Sequence, residues 1–220
     1  MLEVARSLGA LVKAGWRPQR SIVLCSWDGE EYGLLGSTAF ADRHSAWLAQ
    51  SAVAYLNVDI GVGGRQLIVD ASPSLARLVR GATERVIDPA TERPLSTVWD
   101  GLVGTLGSGS DYTAFLDRYG VASINLAFIS REREGNYHSL TDSFFWMEHF
   151  GDTSDYAYHR LCAQLWGLLT LRLADVPQLP FNISDYGSKM RDYFADWSQN
   201  YSTWNHAGDH VHSPLYVHHI

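Results

Sequence analysis

The chain has 220 residues, 46% of them hydrophobic and 12% aromatic, enough for one sizeable core. Its 17 basic and 24 acidic residues give a net charge of −7 without a basic stripe, which argues against a nucleic-acid surface. No apolar stretch approaches the roughly 20 residues of a membrane span. Residues Met1 to Arg6 hold an early acid and no long apolar region, unlike a signal peptide.

Leu2, Ala5, Leu8, Leu11 and Val12 recur at helical spacing, and Gly15 is the expected stop. Ser21-Ile22-Val23-Leu24-Cys25 reads as a buried strand, with an acidic turn at Glu30 and Glu31 just beyond it. Leu34 to Ala41 opens a helix, Ala52 to Asp59 is a second buried strand, and Gln66 to Val69 a short one. Pro73 starts a helix running to about Val86. Residues 88–110 form a long connection rich in Gly, Ser, Thr and Pro. A short helix from Asp111 to Tyr119 precedes a third buried strand, Val121 to Phe128. Ser130 to Thr141 is polar and loop-like, and a long amphipathic helix follows from Asp152 to Ala174. Pro177 and Pro180 end that helix, and Tyr186 to Trp197 makes another.

Apolar strands alternating with helices predict an α/β fold, with a mixed, mostly parallel sheet sandwiched by helices. Acids at strand ends then fall where open α/β sheets bind ligands. Cys25 lies in a strand pattern and Cys162 in a helix pattern, and both are read as buried thiols. The sequons Asn182-Ile183-Ser184 and Asn200-Tyr201-Ser202 would suit a glycoprotein, but such triplets are common by chance. Five of the nine histidines (His206, His210, His212, His218 and His219) crowd the final 15 positions. Their spacing matches no standard ligand pattern, so residues 198–220 read as a disordered tail.

The chemistry-bearing set is Glu30, Glu31, Asp59 and His138. Two strand ends supply acids, and a loop after the third strand supplies an imidazole. Zinc takes imidazole nitrogen and carboxylate oxygen, and a neighbouring free carboxylate can take a proton from the bound water. The bland alternative has the glutamates solvated, Asp59 ending a strand and His138 packed in a loop.

The string Arg20 to Ser37, containing Ser26-Trp27-Asp28-Gly29-Glu30-Glu31-Tyr32-Gly33-Leu34-Leu35-Gly36-Ser37, resembles the core of glutamate carboxypeptidase II and its relatives. Val53 to Asp59, Leu106-Gly107-Ser108-Gly109-Ser110-Asp111 and Tyr137-His138-Ser139 follow in that family's order. Pro180-Phe181 and Asp185-Tyr186 resemble its entry into a helical domain. These are co-catalytic zinc exopeptidases, a group that includes the non-catalytic transferrin receptor.

The resemblance implies Glu30 as general base, Glu31 and His138 as ligands of one Zn2+ and Asp59 as ligand of a second. Gly109, Ser110 and Tyr137 would lie against a peptide substrate. Gly33 and Gly36 would serve a tight turn and a close helix approach. Residues 1–176 become a partial zinc-peptidase domain and 177–197 the start of a helical domain through which relatives form homodimers.

The resemblance also implies an upstream His, a bridging Asp and further sheet strands preceding Met1, so that neither zinc site is complete in the chain as given. The family's arginine patch falls on Asn125 and Ala127, which removes the charged partners for an acidic substrate side chain. Relatives lie in the secretory pathway, in vacuoles, outside the cell or on membrane-anchored ectodomains.

Two functions compete: an exopeptidase core, and a receptor-like binding module on the same fold. A serine hydrolase or nucleotide binder is disfavoured. Residues 104–110 lack the Gly-x-Ser-x-Gly order and the lysine of a phosphate loop.

Overall fold

The computed structural model describes residues 1–130, 136–153 and 155–204. Helix α1 (Leu2–Lys13) buries Val4 and Leu8, one turn apart, and Gly15, at φ 100°, carries the chain out of it. Arg20 then ties the chain to a segment more than 150 positions away in sequence. Its guanidinium donates to the carbonyls of Leu173 (3.1 Å), Val176 (2.6 Å) and Pro177 (3.2 Å).

The next segment departs from expectation. Ser21–Cys25 is not a strand, and Val23 and Leu24 are 55% and 44% exposed. A cavity of about 580 Å³ lies between residues 20–25 and residues 52–56. Among the described residues, no backbone hydrogen bond joins the two segments. An apolar run becomes a strand only when a neighbouring backbone supplies its ladder.

Helices α2 (Leu35–Arg43) and α3 (Ser45–Ser51) lead into strand β1 (Ala54–Asn57). Strand β2 (Gln66–Ala71) is followed by a 3-10 turn at Pro73–Leu75 and by α4 (Ala76–Thr83). The long connection contains a two-residue hairpin, β3 (Ile87–Asp88) with β4 (Arg93–Pro94). Its anchor is the buried Asp88 carboxylate, which accepts from Thr91 N (2.8 Å), Thr91 Oγ1 (2.7 Å) and the Tyr158 hydroxyl (2.9 Å). Helix α5 (Tyr112–Tyr119) and strand β5 (Ala122–Ile129) fall where expected. A short α6 (Phe144–Trp146), not expected, runs into a π turn at Met147–Gly151. Helix α7 (Ala157–Ala174) starts five residues later than the pattern suggested, behind an Asp152 carboxylate that accepts from Tyr158 N and His159 N.

The sheet is mixed, in the order β1-β5-β2. Strand β1 runs parallel to β5, from Ala54 opposite Ala122 to Asn57 opposite Asn125, and β2 runs antiparallel to β5 on its other side. Ile124, Leu126 and Phe128, at every second position of β5, are almost fully buried. They share a core with Leu161, Leu165 and Leu169 of α7 and Val79 of α4. On the opposite face, Ala41, Leu48, Phe115 and Val121 form a second cluster with Trp27 and Tyr55 packed against it. Helices thus cover both faces, as the alternating pattern predicted.

Helix α8 (Ser184–Trp204) runs seven residues past the expected end at Trp197. Its start is fixed by Asn182 Oδ1, which accepts from Ser184 N and Oγ, and by a bidentate Arg77–Asp185 pair at 2.9 and 2.8 Å. The remainder of the expected tail, with its five histidines, lies outside the described residues. Among the described residues no helix is long and apolar enough to cross a membrane, and both cysteines are free.

Candidate active site

Three turns meet at the carboxyl end of β1 and β5. The first holds the paired acids. Glu30–Tyr32 is a single 3-10 turn between Gly29 (φ 68°) and Gly33 (φ 98°). Leu34 N donates to Glu30 O (2.8 Å), Leu35 N to Gly29 O (3.1 Å) and Gly36 N to Asp28 O (2.9 Å). These bonds fold the turn tightly against the start of α2. A Cβ at residue 36 would sit 2.6 Å from Asp28 O, so only glycine fits there. Leu34 itself takes a left-handed φ of 57°, a conformation costly for a branched side chain. Beneath the turn, Trp27 Nε1 donates to the Tyr55 hydroxyl (2.8 Å), and Tyr55 stacks on Phe115 at 4.3 Å.

The second turn brings His138, also left-handed at φ 55°, with its ring stacked on Tyr137 at 3.8 Å. Ser139 Oγ braces it by donating to Asn136 O (2.7 Å). His138 Nε2 lies 2.8 Å from Glu31 Oε1, a contact between residues 107 apart in sequence.

The third group joins Asp59 to the Gly-Ser loop. The Ser110 hydroxyl donates to Asp59 Oδ2 (2.6 Å) and accepts from Asn57 Nδ2 (2.9 Å). Asn57 Nδ2 also donates to Asn125 Oδ1 (2.9 Å). Asn57, Ser110 and Asp111 are buried, whereas Asp59 and Gly109 are exposed. Asn57, the last residue of β1, stands two residues before Asp59, and both meet the Ser110 hydroxyl. That spacing was the signal available in sequence for Asn57, which the sequence reading missed along with Asp111 and Ser37.

The acids influence one another. Partial burial, then the charges of Asp59, Glu31 and Asp111, raise the Glu30 carboxyl above its ordinary range, opposed by His138. Burial, then Glu31, Asp59 and Glu30, raise the Tyr137 phenol. Glu30, Glu31, Asp59 and His138 therefore share one electrostatic neighbourhood, with Tyr137 at its edge.

Fit to zinc is partial. Oxygen and nitrogen ligands about 2.0–2.1 Å from a tetrahedral ion stand roughly 3.3 Å apart. Glu31 Oε1 and His138 Nε2 stand at a hydrogen-bond distance of 2.8 Å, shorter than that spacing. Asp59 is engaged with Ser110 instead. Among the described residues, no group of three His, Cys, Asp or Glu side chains is placed to hold a metal ion. These residues alone do not make a complete site.

Known proteins resemble this chain over most of its length. The model of "Peptidase family M28" matches residues 1–160. A "Probable glutamate carboxypeptidase" of Arthroderma benhamiae is 42% identical over 206 residues, 88% of this chain and 28% of that protein. "Aminopeptidase NAALADL1" of Mus musculus is 36% identical over 216 residues, 88% of this chain and 29% of that protein. The chain thus spans under a third of the length of either relative. A zinc aminopeptidase from Bacillus subtilis shares the fold with a TM-score of 0.51 and 22% identity, covering 70% of this chain and 36% of that one. With the family model matching more than half its length, the chain belongs to peptidase family M28.

Proposed function

We propose that this chain is the core of a zinc metallo-exopeptidase that hydrolyses peptide bonds near a free terminus. Glu30 is the general base, Glu31, Asp59 and His138 are metal donors, and Gly109, Ser110 and Tyr137 line the substrate. The observation that carries this reading is the 2.8 Å approach of His138 to Glu31, with Glu30 beside it in one turn. An acid committed to an imidazole and an adjacent acid left to handle a proton divide the labour that peptide hydrolysis needs. The raised Glu30 carboxyl supports the role, because a base gains driving force as its pKa approaches the working pH. The names of both relatives, a carboxypeptidase and an aminopeptidase, fit attack at a chain end.

The remaining metal donors would come from elsewhere in a longer protein, and the chain alone would bind zinc weakly. Asn125, one of the two positions on which the resemblance places an arginine, is a neutral amide that accepts from Asn57. A second reading, a non-catalytic binding module, is favoured by the lack of a three-donor group among the described residues.

The purified chain is expected to bind zinc weakly in calorimetry and to show little peptidase activity. Two zincs at full stoichiometry with robust hydrolysis would overturn that expectation. Extended upstream by a segment supplying a His and an Asp, the protein should hydrolyse peptides. There Glu30→Gln should abolish turnover and leave metal content unchanged. Undiminished turnover would remove Glu30 as the base, and an inactive but zinc-free extended chain would favour the binding module.

A further inference from the structure

The loop that carries Gly109 and Ser110 is reached through a short strut, residues 103–105, laid along the outer edge of β2, the terminal strand of the sheet. Val103 packs on the core beneath the sheet. Gly104 N donates to Val69 O (2.9 Å), and Gly104 O accepts from Ala71 N (3.3 Å). A Cβ at residue 104 would sit 2.0 Å from Asp70 Oδ1, so glycine is what lets the strut lie this close. At the next residue, the Thr105 hydroxyl shares a hydrogen bond of 2.7 Å with the Tyr193 hydroxyl of α8, across 88 positions of sequence.

Helix α8 is held well enough to anchor that bond. Its start is tied down by Arg77 on Asp185 and by Asn182 N, which donates to Ser74 O (2.9 Å). Tyr193 follows Asp185 by eight residues, about 12 Å along a helix. Lys189, one turn before Tyr193, lies over its ring at 5.3 Å and steadies it. On the loop side, only Leu106 and Gly107 separate Thr105 from Ser108, whose carbonyl accepts from the Tyr112 hydroxyl (3.2 Å). Ser110 O accepts from Thr113 Oγ1 (2.8 Å), and the Ser110 hydroxyl donates to Asp59. Three residue steps reach at most about 11 Å. A tether this short passes a shift of Thr105 on to the residues beyond it.

We propose that Tyr193 is a positioning residue: its hydroxyl pins Thr105, and through the Gly104 strut α8 sets the loop that presents Gly109 and Ser110. This rests on the reading of that loop as lining the substrate, and deepens it by making α8 part of the support for the substrate side of the site. Tyr193 acts through Thr105 and touches neither metal nor substrate. Both residues are exposed, so water competes for their bond, and its loss has a severalfold local effect without unfolding the chain.

Amide hydrogen exchange reads the tie on the chain itself, without requiring turnover. Tyr193→Phe keeps the ring beneath Lys189 and removes the hydroxyl, and Thr105→Val keeps the side-chain shape and removes its partner. Each should speed exchange at Gly104 and Ala71, the amides that bind the strut to β2, by about threefold or more, with β5 amides unchanged. The double variant should match either single one, because both substitutions cut one bond. Thr105→Ser should keep wild-type protection. Unchanged exchange at Gly104 and Ala71, acceleration that extends to β5, additive effects, or a serine variant behaving like valine would each overturn the proposal. In the protein extended upstream, Tyr193→Phe should raise KM for a peptide severalfold and leave kcat unchanged, because a displaced substrate loop weakens binding without touching the acids. An unchanged KM alongside loosened strut amides would also overturn the proposal. A wild-type extended protein that binds zinc yet cleaves no peptide would end the reading of the loop as substrate-lining, with exchange still deciding whether Tyr193 sets the loop.

Discussion

Ser21–Cys25 and Val121–Phe128 look alike as sequence, both short apolar runs containing β-branched residues. One becomes β5, flanked by strands on both sides and helices on both faces, with Ile124 and Phe128 fully buried. The other leaves Val23 55% exposed and borders a cavity of about 580 Å³. Both are apolar, and the shorter run is the more apolar of the two; what differs against it is the supply of backbone partners. An apolar run states what a segment is suited for, and its neighbours decide whether the ladder forms.

The largest effect expected from this contrast lies in β5. Phe128→Ala would empty a site between α7 and the sheet, where Phe128 packs on Tyr158 at 5.7 Å. A loss of about 4 kcal/mol is expected in urea denaturation, combining lost transfer energy with an unfilled cavity. A loss below about 1 kcal/mol would mean that the sheet centre can collapse around the gap, and the contrast with Ser21–Cys25 would fail.

A smaller effect is expected where the site meets the sheet. Ser110→Ala removes the donor to Asp59 and one of the two acceptors of the buried Asn57 amide. Asp59 is exposed, so water can replace its lost partner, and Asn57 keeps Asn125. Stability should fall by about 1–2 kcal/mol in urea denaturation, nearer the penalty of one unsatisfied buried group than of two. A neutral result would show that the network does not hold Asn57 in place.

Much of the site was legible because its residues follow strand ends. Asp59 lies two residues beyond β1, and the Tyr137–His138 turn lies on the chain leaving β5, so an expected α/β sheet already converged them. The two site glycines were legible for a similar reason: Gly33 takes φ 98°, and Gly36 admits Asp28 O. The buried polar residues behind the acids were harder to see. Asn57 gains meaning from contacts 53 and 68 positions away in sequence, and single-strand periodicity carries no record of these. The Ser21–Cys25 strand failed in the opposite way. Its local pattern was strong, but nothing local could report whether a neighbour stood within hydrogen-bond distance. The hairpin inside the long connection was missed because two-residue strands hold too few positions for a period to register.

The smallest predicted effect tests that failed strand most directly. Val23 points substantially into solvent, so Val23→Ser should change stability by no more than about 0.5 kcal/mol, as at an ordinary surface position. Leu24→Ser, at 44% exposure, should behave similarly. A loss near 2 kcal/mol from either would be too large for a half-exposed side chain. It would require burial in solution that the isolated chain does not provide, by another chain seated at this segment. Sedimentation of the wild-type chain at several concentrations separates the cases. A small loss with a concentration-independent mass leaves Ser21–Cys25 a strand-like run without a partner. A large loss with self-association would show that this segment, like β5, forms its ladder once a neighbouring backbone is present.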